Sequence, residues 1–113
     1  MLSSQYRLKK KKDIQKVLGK GIMLYGKNIN IKFLKSENVL PRFCITTNKK
    51  IFKKAVLRNR AKRRIRAALF KIIFEIPGYY DIVIFPQKTI LFEKFENLIK
   101  EFKLLFLKLK KNE

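Results

Sequence analysis

The sequence predicts an α+β fold, a small α-β sandwich in which helices cover a sheet. Two observations indicate this class. Apolar residues recur at spacings of three and four in some segments and alternate with polar residues in others, in the order helix, strand, strand, helix, strand, helix. Hydrophobic residues make up 47% of the 113 residues, which is enough for a compact core and is too many for a disordered chain. This length predicts one domain, residues 1–113.

The first helix follows an arm and a run of lysines. Residues 1–8 are predicted to form a flexible, extended arm, and Lys9 to Lys12 follow it. A short helix is then indicated by one apolar stripe, formed by Ile14, Val17 and Leu18. Asp13 suits the positive N-terminal end of this helix, and the Gly-Lys-Gly at 19–21 ends it.

Two strands are predicted next. The first is indicated by the alternation of Ile29, Ile31 and Phe33 with Asn30 and Lys32, and it reaches back toward Tyr25 with Gly26 as a bend. The turn residues at 36–38 predict a hairpin into a return strand over 42–47, which begins after Pro41.

The second half alternates helix, strand and helix. Apolar residues predict a second helix that ends at Pro77-Gly78: Leu57, Ala61, Ile65, Ala68, Leu69, Ile72, Ile73 and Ile76. The near-continuous apolar run at 79–85, ended by Pro86, predicts a strand buried on both faces. A wide apolar side predicts a long third helix, from Leu91 to Leu109, with residues 109–113 frayed.

The charge of the chain is very uneven. Lys and Arg total 29 against 8 Asp and Glu, with no His, so the net charge is +21 and a polyanionic partner is expected. Residues 49–71 contain eleven basic residues and no acid. Five of the seven arginines lie within nine residues of the second helix: Arg58, Arg60, Arg63, Arg64 and Arg66. This clustering predicts a docking surface for phosphates, because Arg binds phosphate in a planar, bidentate geometry. Between Arg58 and Arg60, Asn59 could read a base edge or a ribose hydroxyl.

A second basic surface is predicted on the side of the first helix. Lys9 to Lys12 precede a strand whose Asn28, Asn30 and Lys32 would form a polar, basic shelf. A single strand of RNA could run along such a groove. An ordinary solvated face is an equally good interpretation of this pattern.

The residues that enzymes use for hydrolysis are scarce. There is no His and no Gly-rich phosphate loop, and the single Cys44 excludes a disulfide scaffold or a multi-cysteine zinc site. Glu93, Glu96 and Glu101 are interpreted as solvated surface charges that pair weakly with neighbouring lysines. No secretory signal and no membrane-spanning segment are indicated. We therefore expect a cytoplasmic protein with no small-molecule substrate and no membrane partner, in which the polypeptide is not the catalyst.

The segment KKIFKKAVLRNRAKRRIR, residues 49–66, resembles the protein subunit of bacterial ribonuclease P. The Arg-Asn-Arg at 58–60, its flanking Lys-Lys and the following Lys-Arg-x-x-Arg are typical of that family. Further similarity lies in Arg-Leu-Lys-Lys at 7–10, Asp-Ile-Gln-Lys-Val-Leu at 13–18 and Gly-Tyr-Tyr-Asp-Ile-Val-Ile at 78–84. The resemblance covers residues 6 to about 108.

The resemblance implies a fold and an activity. The family has a mixed sheet, three helices and an unusual left-handed β-α-β crossover, here the strand at 42–47, the second helix and the strand at 80–85. Its RNA subunit, with Mg²⁺, removes the 5′ leader of precursor tRNA, and the protein contacts both RNAs. The residues implied to bind the RNA subunit are Lys53, Lys54, Arg58, Asn59, Arg60, Lys62, Arg63 and Arg66. Those implied to line the leader cleft, between the first helix and the sheet, are Lys9, Lys10, Ile14, Leu18, Asn28, Asn30 and Lys32.

The chain departs from the family pattern in the predicted cleft. Ile14 and Leu18 stand where the family usually has Phe, Lys32 stands where Tyr is frequent, and Gln87 replaces a common basic residue. At Lys32, charge therefore replaces aromatic stacking. Two other functions remain open at this stage: a structural RNA-binding protein of ribosomal type, and a cationic amphipathic membrane binder. The near-balanced polar face of the third helix argues against the membrane binder.

Overall fold

Four strands form one sheet, and helices pack on both of its faces. A computed structural model describes residues 2–112 of the chain. The strands are β1 (Ile22–Tyr25), β2 (Ile29–Lys35), β3 (Arg42–Ile45) and β4 (Tyr80–Pro86), and the α-helices of this part of the chain are α1 (Lys11–Lys20), α2 (Ala55–Lys71) and α3 (Phe95–Lys111). Short 3-10 turns cover Ser4–Tyr6, Ile73–Glu75 and Lys88–Leu91. The predicted α+β class, with three helices and a mixed sheet, is confirmed.

The strand order is β1-β2-β4-β3, so β4 lies inside the sheet. It pairs antiparallel with β2 and parallel with β3. The parallel pair makes α2 the crossover helix between β3 and β4. All but one residue of β4 are buried, as the apolar run at this position predicts.

The predicted hairpin between the second and third of these strands is wrong. β4 lies between β2 and β3, because its apolar side chains are buried on both faces only in an interior position. The turn residues instead pair with the start of β4: the Ser36 N–H donates to the Tyr79 carbonyl at 2.8 Å, and the Tyr79 N–H donates to the Asn38 carbonyl at 3.0 Å. The true hairpin joins β1 to β2, with Tyr25 opposite Asn30.

The main core lies between the sheet and helices α2 and α3. Alternate residues of the strands point into it, including Ile31 of β2 and Ile82 of β4, which are both fully buried. A smaller cluster lies on the opposite face, where Val17 of α1 packs with Leu8 and Val83. Helix α1 therefore lies alone on one face of the sheet, opposite the two longer helices.

The N-terminal arm packs against the body, in contrast to the flexible arm that is predicted. Leu2 and Leu8 are buried, because the arm runs beside β3 with an isolated parallel bridge between Arg7 and Phe43. The Leu8 N–H donates to the Phe43 carbonyl at 2.8 Å. Met1 and Glu113, the outermost residues of the predicted arm and frayed end, lie outside the described residues.

Two helices are shorter than their apolar patterns predict. Helix α2 ends at Lys71, and the chain then passes through the 3-10 turn Ile73–Glu75 with Ile72, Ile73 and Ile76 still buried. Helix α3 begins only at Phe95, because Leu91 belongs to the preceding 3-10 turn. In both places, apolar residues outside the helix contribute to the same core. Among the helices of residues 2–112, none is long and apolar enough to cross a membrane.

Candidate nucleic-acid interface

The outer face of α2 presents several of the predicted RNA-subunit residues to solvent. Asn59, Arg60 and Arg63 are exposed, while Ala61 and Ile65 of the same turns are fully buried. The spacing of three and four directs the buried residues to the core and leaves the cations outside. No acidic side chain lies between residues 49 and 71 to neutralise them.

Two arginines of the cluster hold backbone carbonyls. Arg58 Nη1 donates to the Phe52 carbonyl at 2.8 Å and to the Lys53 carbonyl at 3.3 Å, which fixes the loop at the start of α2. Arg64 Nε donates to the Ile90 carbonyl at 2.9 Å, and its Nη2 donates to the Glu93 carbonyl. Arg64 therefore joins α2 to the segment before α3. Arg58, although among the predicted RNA contacts, also has this structural role.

A groove of about 550 Å³ extends the basic surface at the start of α2. It is lined by four lysines, together with apolar and amide side chains, and by no acid: Lys50, Lys53, Lys54, Lys88, Ile51, Leu57 and Gln87. The N-terminal end of a helix carries partial positive charge, and Lys54 at this end has no capping side-chain partner. A bound phosphate would relieve this concentration of positive charge.

The basic surface of α2 is continuous with the arm at the edge of β3. Arg66, Arg7 and Lys9 line one small pocket of about 160 Å³. Burial, with the nearby Arg7 charge as the second cause, lowers the pKa of the Arg66 guanidinium from its ordinary value. Burial raises the pKa of the Cys44 thiol in β3, and the positive charge of nearby Lys62 partly opposes this rise. The two surfaces that the sequence predicts separately thus meet here.

The α1 face of the sheet carries several of the predicted leader residues. Lys32 Nζ donates to the Leu18 carbonyl at 2.6 Å, so β2 is tied to the end of α1. Ile14 packs in the small cluster beneath α1, and Leu18 is 40% exposed. Asn30 Oδ1 accepts from the Gly26 N–H at 3.2 Å. Lys9 and Lys10 are exposed at the approach to α1.

Asn28 does not belong to this shelf, and the prediction that placed it there is wrong. Its side chain is 1% exposed. Asn28 Nδ2 donates to Glu101 Oε1 at 2.8 Å and to Glu93 Oε1 at 3.1 Å, and the Asn28 and Ile29 N–H groups donate to Glu101 Oε2 at 2.9 and 3.0 Å. Carboxylates from 65 and 73 residues away therefore hold the turn before β2.

The same contacts correct the interpretation of the acidic residues near α3. Glu93 and Glu101 are anchors of the β1–β2 turn rather than loosely paired surface charges. Hydrogen bonds from Asn28, Asn97 and the Lys94 N–H lower the pKa of Glu93 to about 2. Gly26 is needed beside them, because a Cβ there would lie 2.5 Å from both Glu101 Oε2 and the Ile29 carbonyl.

One aromatic residue of the α1 face was not predicted from the sequence as part of the site. Phe85 is partly buried, packs against the cluster beneath α1 and lies opposite Asn30 in the sheet. The continuous apolar run at 79–85 conceals the alternation that would have identified it. In the structure, Ile82 and Ile84 point to the main core, and Val83 and Phe85 point to the α1 side.

A separate cavity of about 520 Å³ lies near the start of α1, and its charges are compensated. Arg42 Nε donates to Asp81 Oδ1 at 2.8 Å and Arg42 Nη2 donates to Asp81 Oδ2 at 2.7 Å, while Asp13 Oδ2 lies 3.7 Å from Arg42 Nη1. The hydrogen bond to Asp81 is the main cause that raises the pKa of Arg42. None of the predicted leader residues lines this cavity.

Carboxylate and thiol side chains are scattered in the described part of the chain. Across residues 2–112, no three of them, and no histidine, come together as a group that could hold a metal ion.

Comparisons with known protein sequences all give one family. The sequence matches the Ribonuclease P family over residues 2–110. It is 34% identical over 109 residues to the ribonuclease P protein component of Microcystis aeruginosa, covering 91% of this chain and 89% of that protein. It is 33% identical over 96 residues to the same component of Carboxydothermus hydrogenoformans, covering 83% and 82%.

Solved structures give the same result. The RNase P protein of Thermotoga maritima superposes with a TM-score of 0.80 at 25% identity, covering 90% of this chain and 96% of that one. The RNase P protein of Staphylococcus aureus superposes with a TM-score of 0.76 at 26% identity, covering 94% and 95%. With its Arg-Asn-Arg helix on a crossover between parallel strands, this chain belongs to the family of bacterial ribonuclease P protein components.

Proposed function

We propose that this chain binds the RNA subunit of ribonuclease P through the outer face of α2 and the 5′ leader of precursor tRNA along the α1 face. As a component of the holoenzyme, it promotes endonucleolytic removal of the leader. The observation that carries this proposal is the uncompensated basic surface of α2 with its lysine-lined groove. Family membership supports ribonuclease P RNA as the partner of this surface.

The residues have distinct tasks in this proposal. Arg60 and Arg63 contact phosphates on a rigid helix, and Asn59 between them binds a base edge or a ribose hydroxyl. Lys53 and Lys54 bind phosphate at the start of the helix, and Lys62 and Arg66 extend the contact toward the arm. On the α1 side, Lys9, Lys10 and Lys32 attract the leader backbone, and Phe85 of β4 offers an apolar surface on the same face of the sheet.

The catalytic chemistry is assigned to the RNA subunit. Mg²⁺ bound by that RNA would activate the attacking water and stabilise the leaving group. The basic side chains of this protein reduce the repulsion between the phosphates of the RNA subunit and those of the precursor tRNA, so the RNA subunit binds the precursor more tightly. Mg²⁺ also reduces this repulsion, and the effect of the protein is therefore largest when Mg²⁺ is scarce. We place this activity in the cytoplasm, with no small-molecule substrate and no membrane partner.

A reconstitution experiment tests the proposal. The protein is added to a transcribed bacterial ribonuclease P RNA at low Mg²⁺, and removal of the leader from a precursor tRNA is followed by gel electrophoresis. We expect strong stimulation by the wild-type chain. Absence of stimulation, with the protein folded by circular dichroism, would contradict the proposal.

A second measurement tests the leader contact separately. Affinities of the holoenzyme for precursor tRNA and for mature tRNA, which lacks the leader, are compared. We expect Lys10→Ala to weaken binding of the precursor only, whereas Lys108→Ala, which removes an exposed lysine of α3, leaves both affinities unchanged. Equal weakening for both tRNAs would show that the α1 side does not bind the leader.

A further inference from the structure

Phe70 is an exposed aromatic residue on the basic face of α2. Its side chain is 51% exposed, and it lies one helical turn after Arg66 and two turns after Arg63. Residues four apart on a helix are neighbours on its surface, with Cβ atoms about 6 Å apart. Phe70 therefore shares a face with the arginines of the proposed RNA contact.

The core does not account for Phe70. Within the last two turns of α2, Ile65, Ala68 and Leu69 are fully buried and face α3 and the sheet. Phe70 points away from them and leaves about half of its surface in water. The exposed half of the ring is therefore free to contact a partner.

The surroundings of Phe70 indicate what covers it. The nearby cations on this face are Arg63 and Arg66, and the helix contains no acid. A second copy of the chain would bring another +21 charge against the same surface, which electrostatic repulsion disfavours. An aromatic ring surrounded by cations is complementary to a nucleotide, which joins an apolar base to an anionic phosphate.

We propose that Phe70 is a base-stacking site for an unpaired nucleotide of the ribonuclease P RNA subunit, with the adjacent phosphates held by Arg63 and Arg66. The inference rests on the function proposed above and adds a contact of different chemistry to it. Arginine contacts depend on salt through the release of counterions, whereas stacking is largely independent of salt. Phe70 therefore selects a particular position in the RNA where a base is free to stack.

Substitutions of Phe70 distinguish the contribution of ring stacking to RNA affinity from that of apolar side-chain volume. In filter-binding measurements with a transcribed bacterial ribonuclease P RNA, Phe70→Leu is expected to weaken binding by about five- to a hundredfold. The dependence of affinity on salt should keep its wild-type slope. Phe70→Tyr, which retains a ring, should bind within about threefold of wild type. Tyr25→Leu is the matched control, because Tyr25 is 71% exposed on the edge strand β1, at the far side of the sheet from β3.

A fluorescence measurement gives an independent readout. The chain contains no Trp, so Phe70→Trp introduces a single indole on the basic face. Stacking on a base should quench its emission when the RNA is added, whereas the indole of Tyr25→Trp should keep its emission.

Three outcomes would overturn the inference: Phe70→Leu binding as tightly as wild type, Phe70→Tyr binding as weakly as Phe70→Leu, or equal quenching at both tryptophan positions. These outcomes are distinguishable from failure of the proposed function, in which the wild-type chain itself neither binds the RNA nor stimulates leader removal.

Discussion

The outer face of α2 and the turn before β2 use charge in opposite ways. On α2, Arg60 and Arg63 are exposed, and no acid lies within the helix to pair with them. At the turn, Glu101 accepts three hydrogen bonds from Asn28 and Ile29, so its charge is satisfied inside the protein. Charges that are compensated internally hold the fold, and charges left uncompensated are available to a partner.

The scarcity of acidic residues makes this division clear. The chain has only 8 Asp and Glu, yet Glu93, Glu101, Asp81 and Asp13 all contact partners that fix the sheet or its turns. Among the cations, Arg42 has its charge compensated by carboxylates within the protein, whereas Arg63 has no such partner within residues 2–112. Substitutions in the first group should change stability, and those in the second should change RNA affinity.

The largest expected effect is on the Arg42–Asp81 pair. Asp81→Asn should lower the free energy of unfolding by about 3 kcal/mol, because it leaves a partly buried guanidinium without its bidentate partner. Urea denaturation followed by circular dichroism measures the change. Glu37→Gln, which removes the same charge from an exposed position, is the control, and a similar loss in both variants would refute the assigned role.

The anchor of the β1–β2 turn should give the next largest effect. Glu101→Gln replaces one accepting oxygen by a donor, and we expect a loss of about 2 kcal/mol in the free energy of unfolding. Glu96→Gln, at an exposed position of the same helix, should change stability by less than about 0.5 kcal/mol. If Glu101→Gln were as stable as wild type in the same denaturation experiment, the turn would not depend on this carboxylate.

Two adjacent arginines give the sharpest test of the comparison. Arg64→Ala should lower the free energy of unfolding by about 1.5 kcal/mol, because two backbone carbonyls lose a charged donor. Arg63→Ala should leave stability unchanged and reduce the salt dependence of RNA binding by about one ion. Denaturation and filter binding as a function of salt measure the two effects. The division fails if both variants show the same change in both measurements.

The smallest effect concerns the pH dependence of stability. The pKa of Glu93 is lowered to about 2, so its ionised form stabilises the folded state at pH values above its ordinary pKa of 4.5. This contribution should decline as the pH falls from 4.5 to about 2. Unfolding measured across this range should show wild type and Glu93→Gln converging at low pH. A difference that stays constant with pH would mean that ionisation of Glu93 does not contribute.

Local sequence patterns predicted the elements of this fold but not all of their pairings. The amphipathic spacing around Ile65 identified α2, and the apolar run at 79–85 identified an interior strand. The turn residues at 36–38 indicated a hairpin, which is wrong because β4, more than 40 residues later, inserts between β2 and β3. Turn chemistry is local, whereas the choice of partner depends on which strand gains most from burial on both faces.

The candidate site shows the same limit. The clustering of arginines was evident from the sequence. The sequence did not show that Arg64 contacts the backbone before α3 while Arg63 faces solvent. Asn28 looked like part of a polar shelf, because its carboxylate partners lie 65 and 73 residues away. The same residue types occur at exposed positions and at positions where a partner compensates them. Only tertiary contacts distinguish the two.

The interior position of β4 has a consequence for how the chain folds during synthesis. β4 is the last strand to leave the ribosome, and it pairs with strands on both sides. Helix α2 emerges before it and has no completed sheet to pack against until residue 86 is available. We therefore expect residues 49–71, the most basic segment, to be unfolded in the nascent chain and close to ribosomal RNA until β4 pairs with β2 and β3.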